Sequence, residues 1–472
     1  MHLNYKLLIN FKASLLRGFL NVALNQVLLS KIGPVNFGLF NFFVEVANSI
    51  RNLLECGLQT SFTNHINKTK LYLQSTSAYL IITLVILFIT AIFSIFYSLV
   101  IYNPNLSTQS SFILIILISI YAYLKFGVLH GLHSIAEATN RTALFSTITI
   151  CILLFQILYI TRIGDRLVPI EPITFNLIIF FIIGFFLFLF VCFKQNWPTY
   201  SGVISSVKHL MRDRKYFRVY VVGGAISSLV EVSTLKMVSA FEIIGIISIC
   251  RLYANMCGQL GNSTIKVIWT HLSGQDFERK SEENRTFIKR FILMNLSLGI
   301  FIINFISLNE YYILTFIDVR NQINFIYFIY LTCYQALISS VVNILNTAYH
   351  AQDETKLVNK IQNLFNCLQI TGCVVLIFTT NLISIDNAES ARIFLLRYNF
   401  INTLLSLTLL YQFGLIKYTG KLLKYNILIF SVYTLIFYCS QYKHLEMYFF
   451  VLNISNFFNL LCSLYILTRK IN

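Results

Sequence analysis

The chain has 472 residues, 57% of them hydrophobic and 12% charged, with a formal net charge of +17. A soluble domain carries about a quarter charged residues, so this composition excludes a soluble globular protein and describes a polytopic membrane protein. In that setting the positive charge reports loop topology, and no nucleic-acid partner is expected.

Apolar stretches long enough to cross about 30 Å of hydrocarbon fall at 11–32, 36–63, 76–102, 109–133, 141–162, 173–194, 217–240, 242–270, 287–308, 323–350, 357–381, 391–414, 422–442 and 446–468. This predicts fourteen spans. All five prolines (34, 104, 169, 172 and 198) fall between them, as expected of a residue that breaks helix interiors. The first span is expected to stay on the mature chain: its apolar run holds Arg17, Asn21 and Asn25, and no small-residue cleavage site follows. Those three residues, at four-residue spacing, mark one stripe of a helix. Arg17 alone could snorkel to the inner surface, but Asn21 and Asn25 carry the stripe toward mid-membrane.

The second span, Asn36–Asn64, is the most informative stretch. Asn41, Glu45, Asn48, Asn52, Glu55 and Gln59 fall inside roughly an 80° arc of one helix, with Arg51 just beside it. Arg51 is four residues before Glu55, so the two can pair on the helix surface. Ionisable groups at membrane depth line a cavity or pair, and two readings stay open. Glu45, Arg51 and Glu55 could form a structural ion-pair network. Alternatively Arg51–Glu55 is structural while Glu45 binds a proton.

Further along, the fourth span carries Lys125 with no readable partner, and the seventh places Glu231 on a face with Ser227 and Thr234. The eighth repeats the seam with Arg251, Asn255, Gln259, Asn262 and Lys266. Neutral stripes mark the tenth span (Gln335, Ser339, Asn343, Asn346, His350) and the eleventh (Gln362, Asn366, Gln369). Such stripes more often join helices by hydrogen bonds than bind a ligand. The ten cysteines are scattered and form no CxxC or Cys/His metal spacing, so they read as small apolar fillers. No GxxxxGK[ST], HExxH or GxSxG occurs, so neither an ATP motor nor hydrolytic chemistry is expected, and no cofactor or metal.

With the N-terminus inside, the inner segments hold twenty-three Lys and Arg and the outer ones six. Both termini are therefore expected in the cytoplasm. The longest connection, 195–216, is basic and cytoplasmic. A shift of 207 residues lays Asn48 on Asn255, Asn52 on Gln259, Glu55 on Asn262, Gln59 on Lys266 and Gly38 on Gly245. This predicts an all-α fold of two six-helix lobes in parallel pseudo-repeat: residues 1–194 (spans 1–6) and 217–414 (spans 7–12), with a linker at 195–216 and two appended spans in 415–472.

The opening segment, FKASLLRGFLNVALNQVLLSKIGPVNFGLFNFFVEVANSIRNLLECGLQTSFTNHINK, resembles the start of O-antigen flippases of the Wzx type. These belong to the multidrug/oligosaccharidyl-lipid/polysaccharide exporter superfamily. The resemblance rests on Gly33–Gly38 with its following Leu-Phe, on Gly57-Leu58 and Thr60-Ser61, and on span layout and the basic linker along nearly the whole chain. It implies a MATE-like, V-shaped pair of lobes around a cationic cavity in a bacterial cytoplasmic (inner) membrane. There an undecaprenyl-diphosphate-linked oligosaccharide would be moved from inner to outer leaflet by alternating access. The fourteen spans depart from the twelve of many O-antigen flippases; the peptidoglycan-precursor flippase also has two extra.

The candidate cavity residues are Arg17, Asn21, Asn25, Asn48, Arg51, Asn52, Lys125, Arg251, Asn255 and Lys266, since fixed cations select an anionic head such as a diphosphate. Arg251 and Lys266 are expected to face Arg17 and Arg51 across the pseudo-symmetry axis. Glu45, Glu55 and Glu231 are candidates for coupling to H+ or Na+. The expected partners are the lipid-linked sugar, membrane lipids, a coupling ion and a polysaccharide polymerase complex. Two alternatives stand: a drug or metabolite antiporter of the same fold, and an integral-membrane polymerase or ligase, which would need a sizeable outer loop that the sequence lacks.

Overall fold

A computed structural model describes residues 3–69, 72–102, 109–138, 141–163, 169–192, 199–213, 218–258, 265, 281–309, 322–351, 355–383 and 385–412. Regular structure among these is entirely helical, and a helix satisfies its own backbone groups where no water is available to do so. Among the described residues ten helices are long and apolar enough to span a membrane, and the protein is a multi-pass membrane protein. The thirteenth and fourteenth expected spans, at 422–442 and 446–468, lie outside the described residues.

Helix α1 (Leu3–Glu55) joins the first two expected spans, interrupted at Gly33 (φ 79°, ψ 164°). Only glycine enters that region without cost, and Pro34 then opens the second segment, where its missing N–H is tolerated. The second span does not run on to residue 63 as the apolar pattern suggests. Cys56 and Gly57 take positive φ (45° and 82°), ending the helix, and α2 (Leu58–Thr69) starts anew. The apolar pattern crosses this break because α2 keeps one buried face, with Leu58, Phe62 and Ile66 in the core.

The chain continues with α3 (Tyr72–Tyr102), α4 (Gln109–Tyr123), a π-helical turn at Leu124–Val128, and α5 (Leu129–Ala138). The expected fourth span is thus split by a π segment. Next come α6 (Thr142–Arg162), α7 (Ile170–Cys192) and α8 (Tyr200–Asp213), a short helix inside the expected linker. Pro172 sits in the first turn of α7 rather than between spans; a first turn tolerates it because its N–H is unused there. Helices α9 (Arg218–Val238) and α10 (Phe241–Asn255) follow, then α11 (Ser281–Leu308), α12 (Gln322–Ala351), α13 (Thr355–Ile383) and α14 (Asn387–Gln412). Helix α10 ends at Asn255 and a turn follows to Gly258; of the remainder of the eighth expected span only Ile265, itself helical, is among the described residues.

The chain forms two compact units, one of Phe19–Ser248 with Gln362–Ala391, the other of Met1–Gly18, Ile249–Ile361 and Arg392–Asn472. In the first, Leu58, Phe62, Tyr79, Tyr123, Phe145, Phe188 and Leu210 build a core shared by α2 to α8, with Phe62 and Tyr79 stacked at 4.3 Å. Its outward residues stay apolar: Leu84, Phe88, Phe186 and Phe190 are all exposed, as a lipid-facing surface requires. In the second unit α11 packs on α12. Asn295 Nδ2 donates to Ser340 Oγ at 2.5 Å and Asn399 Nδ2 to the Leu331 carbonyl at 2.9 Å, so polar groups join helices there.

Candidate functional site

The second segment of α1 turns its polar seam inward. Arg51 and Glu55 are both buried, and Arg51 Nη1 donates to Glu55 Oε2 at 3.1 Å. Arg51 Nη2 donates to Asn48 Oδ1 (2.9 Å) and Asn52 Oδ1 (2.6 Å). The helical spacing of three and four residues brings these groups onto one patch. Arg51 is therefore committed to a carboxylate and two amides, and its positive charge is balanced by Glu55.

The π segment completes the cluster. Tyr79 of α3 donates its hydroxyl to the Gly127 carbonyl (3.1 Å), and Gln59 Nε2 of α2 donates to the Phe126 carbonyl (3.1 Å). Those two side chains, from α3 and α2, thus anchor the π segment by its carbonyls. Gly127 packs directly on the pair: a Cβ on it would stand 3.3 Å from Arg51 Nη1 and 3.4 Å from Glu55 Oε1. Arg51 Nε, Glu55 Oε1 and the Tyr123 hydroxyl are buried and hydrogen-bond to none of the described residues. Glu55 Oε1 keeps an unused acceptor beside a tyrosine, a chemistry suited to holding a proton or a small cation. Gln59, read as part of the α1 seam, instead belongs to α2. Tyr79, Tyr123 and Gly127 escaped the sequence reading; the one available signal was a glycine two residues after Lys125 in an apolar helix.

The other expected residues are distributed as follows. Asn25 is buried and donates to the Asn21 carbonyl at 2.7 Å. Glu45 and Lys125 are half-buried; Lys125 Nζ lies 3.4 Å from the Tyr121 hydroxyl and 5.5 Å from the centres of the Tyr121 and Phe126 rings. In the other unit Arg17 is half-buried, with Nε donating to the Ala13 carbonyl at 3.2 Å. Arg251 is half-buried, and Asn255 is exposed. Lys266 lies outside the described residues.

A second polar patch lies where α9 meets α13. Gly223, Ser227 and Glu231 share one α9 face, and Ser227 donates to Glu231 Oε1 at 3.1 Å. Against Gly223 sit Asn363 and Asn366, whose Oδ1 and Nδ2 would approach an added Cβ to 2.7 and 3.0 Å. The Asn366 amide nitrogen is buried with no hydrogen bond among the described residues. The sequence marked Asn366 only as interhelical glue, and the partner face on α9 needed the structure.

No protein-family model matches the sequence, and comparison with curated proteins gives no match. Solved structures do match. The lipid II flippase MurJ in its inward closed conformation superposes with TM-score 0.63 at 15% identity, covering 98% of each chain. An inward-facing multidrug resistance MATE family transporter of the MOP superfamily gives 0.60 at 11%, covering 87% of this chain and 99% of that one. A MOP superfamily transporter from Pyrococcus furiosus gives 0.57 at 11%, covering 87% and 94%. The chain has the polytopic all-α fold of MATE-type and MurJ-type transporters.

Proposed function

We propose that this chain is a flippase for an undecaprenyl-diphosphate-linked oligosaccharide, an O-antigen or similar surface-polysaccharide unit. It would carry that unit from the inner to the outer leaflet of a bacterial cytoplasmic membrane by alternating access. The observation that carries the reading is likeness along 98% of both chains to a lipid II flippase, in a sequence whose spans hold Arg17, Arg51 and Arg251 among amides. Sugar hydroxyls left unsatisfied in hydrocarbon cost several kcal/mol in aggregate. Asparagines and glutamines replace those hydrogen bonds, and arginines hold the diphosphate. Export of a dianion from a negative interior is favoured by about 2.3 kcal/mol per charge per 100 mV.

Arg51 is paired with Glu55, and Arg17 and Arg251 are proposed to hold the head group. Glu45, Glu55 and Glu231 are proposed to couple H+ or Na+ to switching. The test is Arg17→Glu and Arg251→Glu in cells, scored by lipid-linked sugar accumulating on the inner leaflet. Normal surface polysaccharide in both variants would overturn the reading.

A second reading, a MATE-like drug or metabolite antiporter, is favoured by the neutralised Arg51–Glu55 pair and the likeness to a multidrug transporter. It predicts drug sensitivity on deletion with the surface polysaccharide intact.

A further inference from the structure

Helix α8 divides lengthwise into three sectors. At 100° per residue, Val203, Ser206, Val207 and Leu210 fall within about 100° of one another. Ser206 and Leu210 are buried, and Val203 and Val207 pack against the core around Phe62 and Tyr79. Ser61 donates its hydroxyl to the Leu210 carbonyl at 3.2 Å. Gly202 lies so close to α3 that an added Cβ would stand 2.5 Å from the Gln74 side chain. This sector fixes the helix to the first turns of a membrane span. The next sector, Tyr200, Ile204 and Met211 within about 40°, is apolar yet 83%, 39% and 41% exposed. Beyond it, at about 80–140°, Ser201, Ser205, Lys208 and Arg212 are all exposed.

Going round the helix, the order is protein, apolar edge, basic edge, and then His209 and Asp213 at about 180–220°, the Asp213 carboxylate lying 3.5 Å from Arg212 Nε on the exposed side. A helix facing only water would have no use for the middle sector. A protein-docking site would gather its apolar residues into a broad patch; here they form one narrow line. A bilayer offers hydrocarbon and then phosphate, the same order as the two free edges. The α3 residues Ile81, Leu84, Val85 and Phe88, which begin within two turns of Gln74, are also exposed and apolar, as residues facing hydrocarbon are.

We infer that α8 lies in the membrane interface and binds anionic phospholipid. Tyr200, Ile204 and Met211 sit among the upper acyl carbons, and Lys208 and Arg212 sit on the phosphates. The inference rests on α3 being a membrane span and is independent of the transported substrate. It is tested with the full-length protein in nanodiscs. Ile204→Trp and Ser205→Trp are compared for quenching by brominated acyl chains, over the background of Trp197 and Trp269. The added indole at 204 is expected to be quenched and that at 205 to be spared. Equal quenching, or none at 204, would place the edge in water or against a protein and overturn the inference. Then Lys208→Gln combined with Arg212→Gln should lower the preference for phosphatidylglycerol over phosphatidylcholine about thirtyfold, from roughly 1 kcal/mol per basic residue. A normal quenching pattern with unchanged preference would remove the anionic-lipid assignment.

Discussion

Gly38 and Gly245 meet backbone to backbone: a Cβ built on Gly245 would stand 3.2 Å from the Gly38 nitrogen and 2.6 Å from the Pro34 carbonyl oxygen. The reciprocal Cβ on Gly38 would clash with the Phe241 carbonyl oxygen. These two glycines are the pair that the 207-residue shift superposes.

The neighbours at this crossing are carbonyls and backbone nitrogens, which cannot swing aside as a side chain can. Gly38→Ala and Gly245→Ala should each destabilise the protein by about 1–3 kcal/mol through overpacking. Gly224, where an added Cβ meets nothing within 4 Å, is the control. Gly224→Ala should be neutral or slightly stabilising, since alanine loses less backbone freedom. Thermal unfolding in detergent compares the three.

The Arg51–Glu55 pair separates packing from transport. Arg51→Ala strands a buried carboxylate and should cost about 3–5 kcal/mol. Arg51→Met with Glu55→Leu removes both charges and should restore most of that stability. If the pair also takes part in transport, the double variant folds normally and carries no substrate. Unfolding midpoints with a cellular transport assay distinguish these outcomes.

Tyr79 and Gln59 hold the π segment through single hydrogen bonds to Gly127 and Phe126. Tyr79→Phe keeps the ring stack on Phe62 and removes only the hydroxyl donor to the Gly127 carbonyl, at a cost of about 0.5–1.5 kcal/mol for one lost hydrogen bond. Hydrogen exchange should rise at 124–128 in Tyr79→Phe and in Gln59→Leu, with α6 unchanged. An undisturbed π segment in both would assign its shape to packing alone.

The junction of α2 and α8 should respond to pH. His65 is buried and stacks on His209 at 5.7 Å. Burial, and then His209, hold its pKa below the ordinary histidine value, with Asp213 opposing. His209 Nδ1 also lies 3.1 Å from Arg212 Nη2. A depressed histidine pKa means the unfolded chain binds more protons in the window between the two values, so stability rises with pH there. The stabilisation is complete above the unfolded value, about 6.5, and declines as pH falls from there toward the folded value. Amide protection in α8, exchange corrected for the intrinsic rate at each pH, should therefore be weaker at pH 5.5 than at 7.5, and His65→Gln should flatten that difference.

Much of the architecture was legible because hydrocarbon imposes length and polarity on every span. The break at Gly33–Pro34 and the seam through Asn48, Arg51, Asn52 and Glu55 follow from spacing alone. The second break, at Cys56–Gly57, was hidden because apolar residues on both sides keep the pattern going while the backbone turns. The π segment was hidden for a related reason: one extra residue per turn leaves composition unchanged.

By itself the sequence determined that this chain is helical, crosses a membrane many times and carries arginines where lipid would not tolerate them bare. Periodicity assigns residues to a shared face, and solvent sets how long each helix must be. The tertiary structure decided what each face meets: that Arg51 is spent on Glu55, that Tyr79 and Gln59 hold Phe126 and Gly127, and that α8 folds back onto α2 and α3. Such partners come from other helices, and a charge changes its role when its neighbour supplies the opposite one, which no spacing along a single helix encodes.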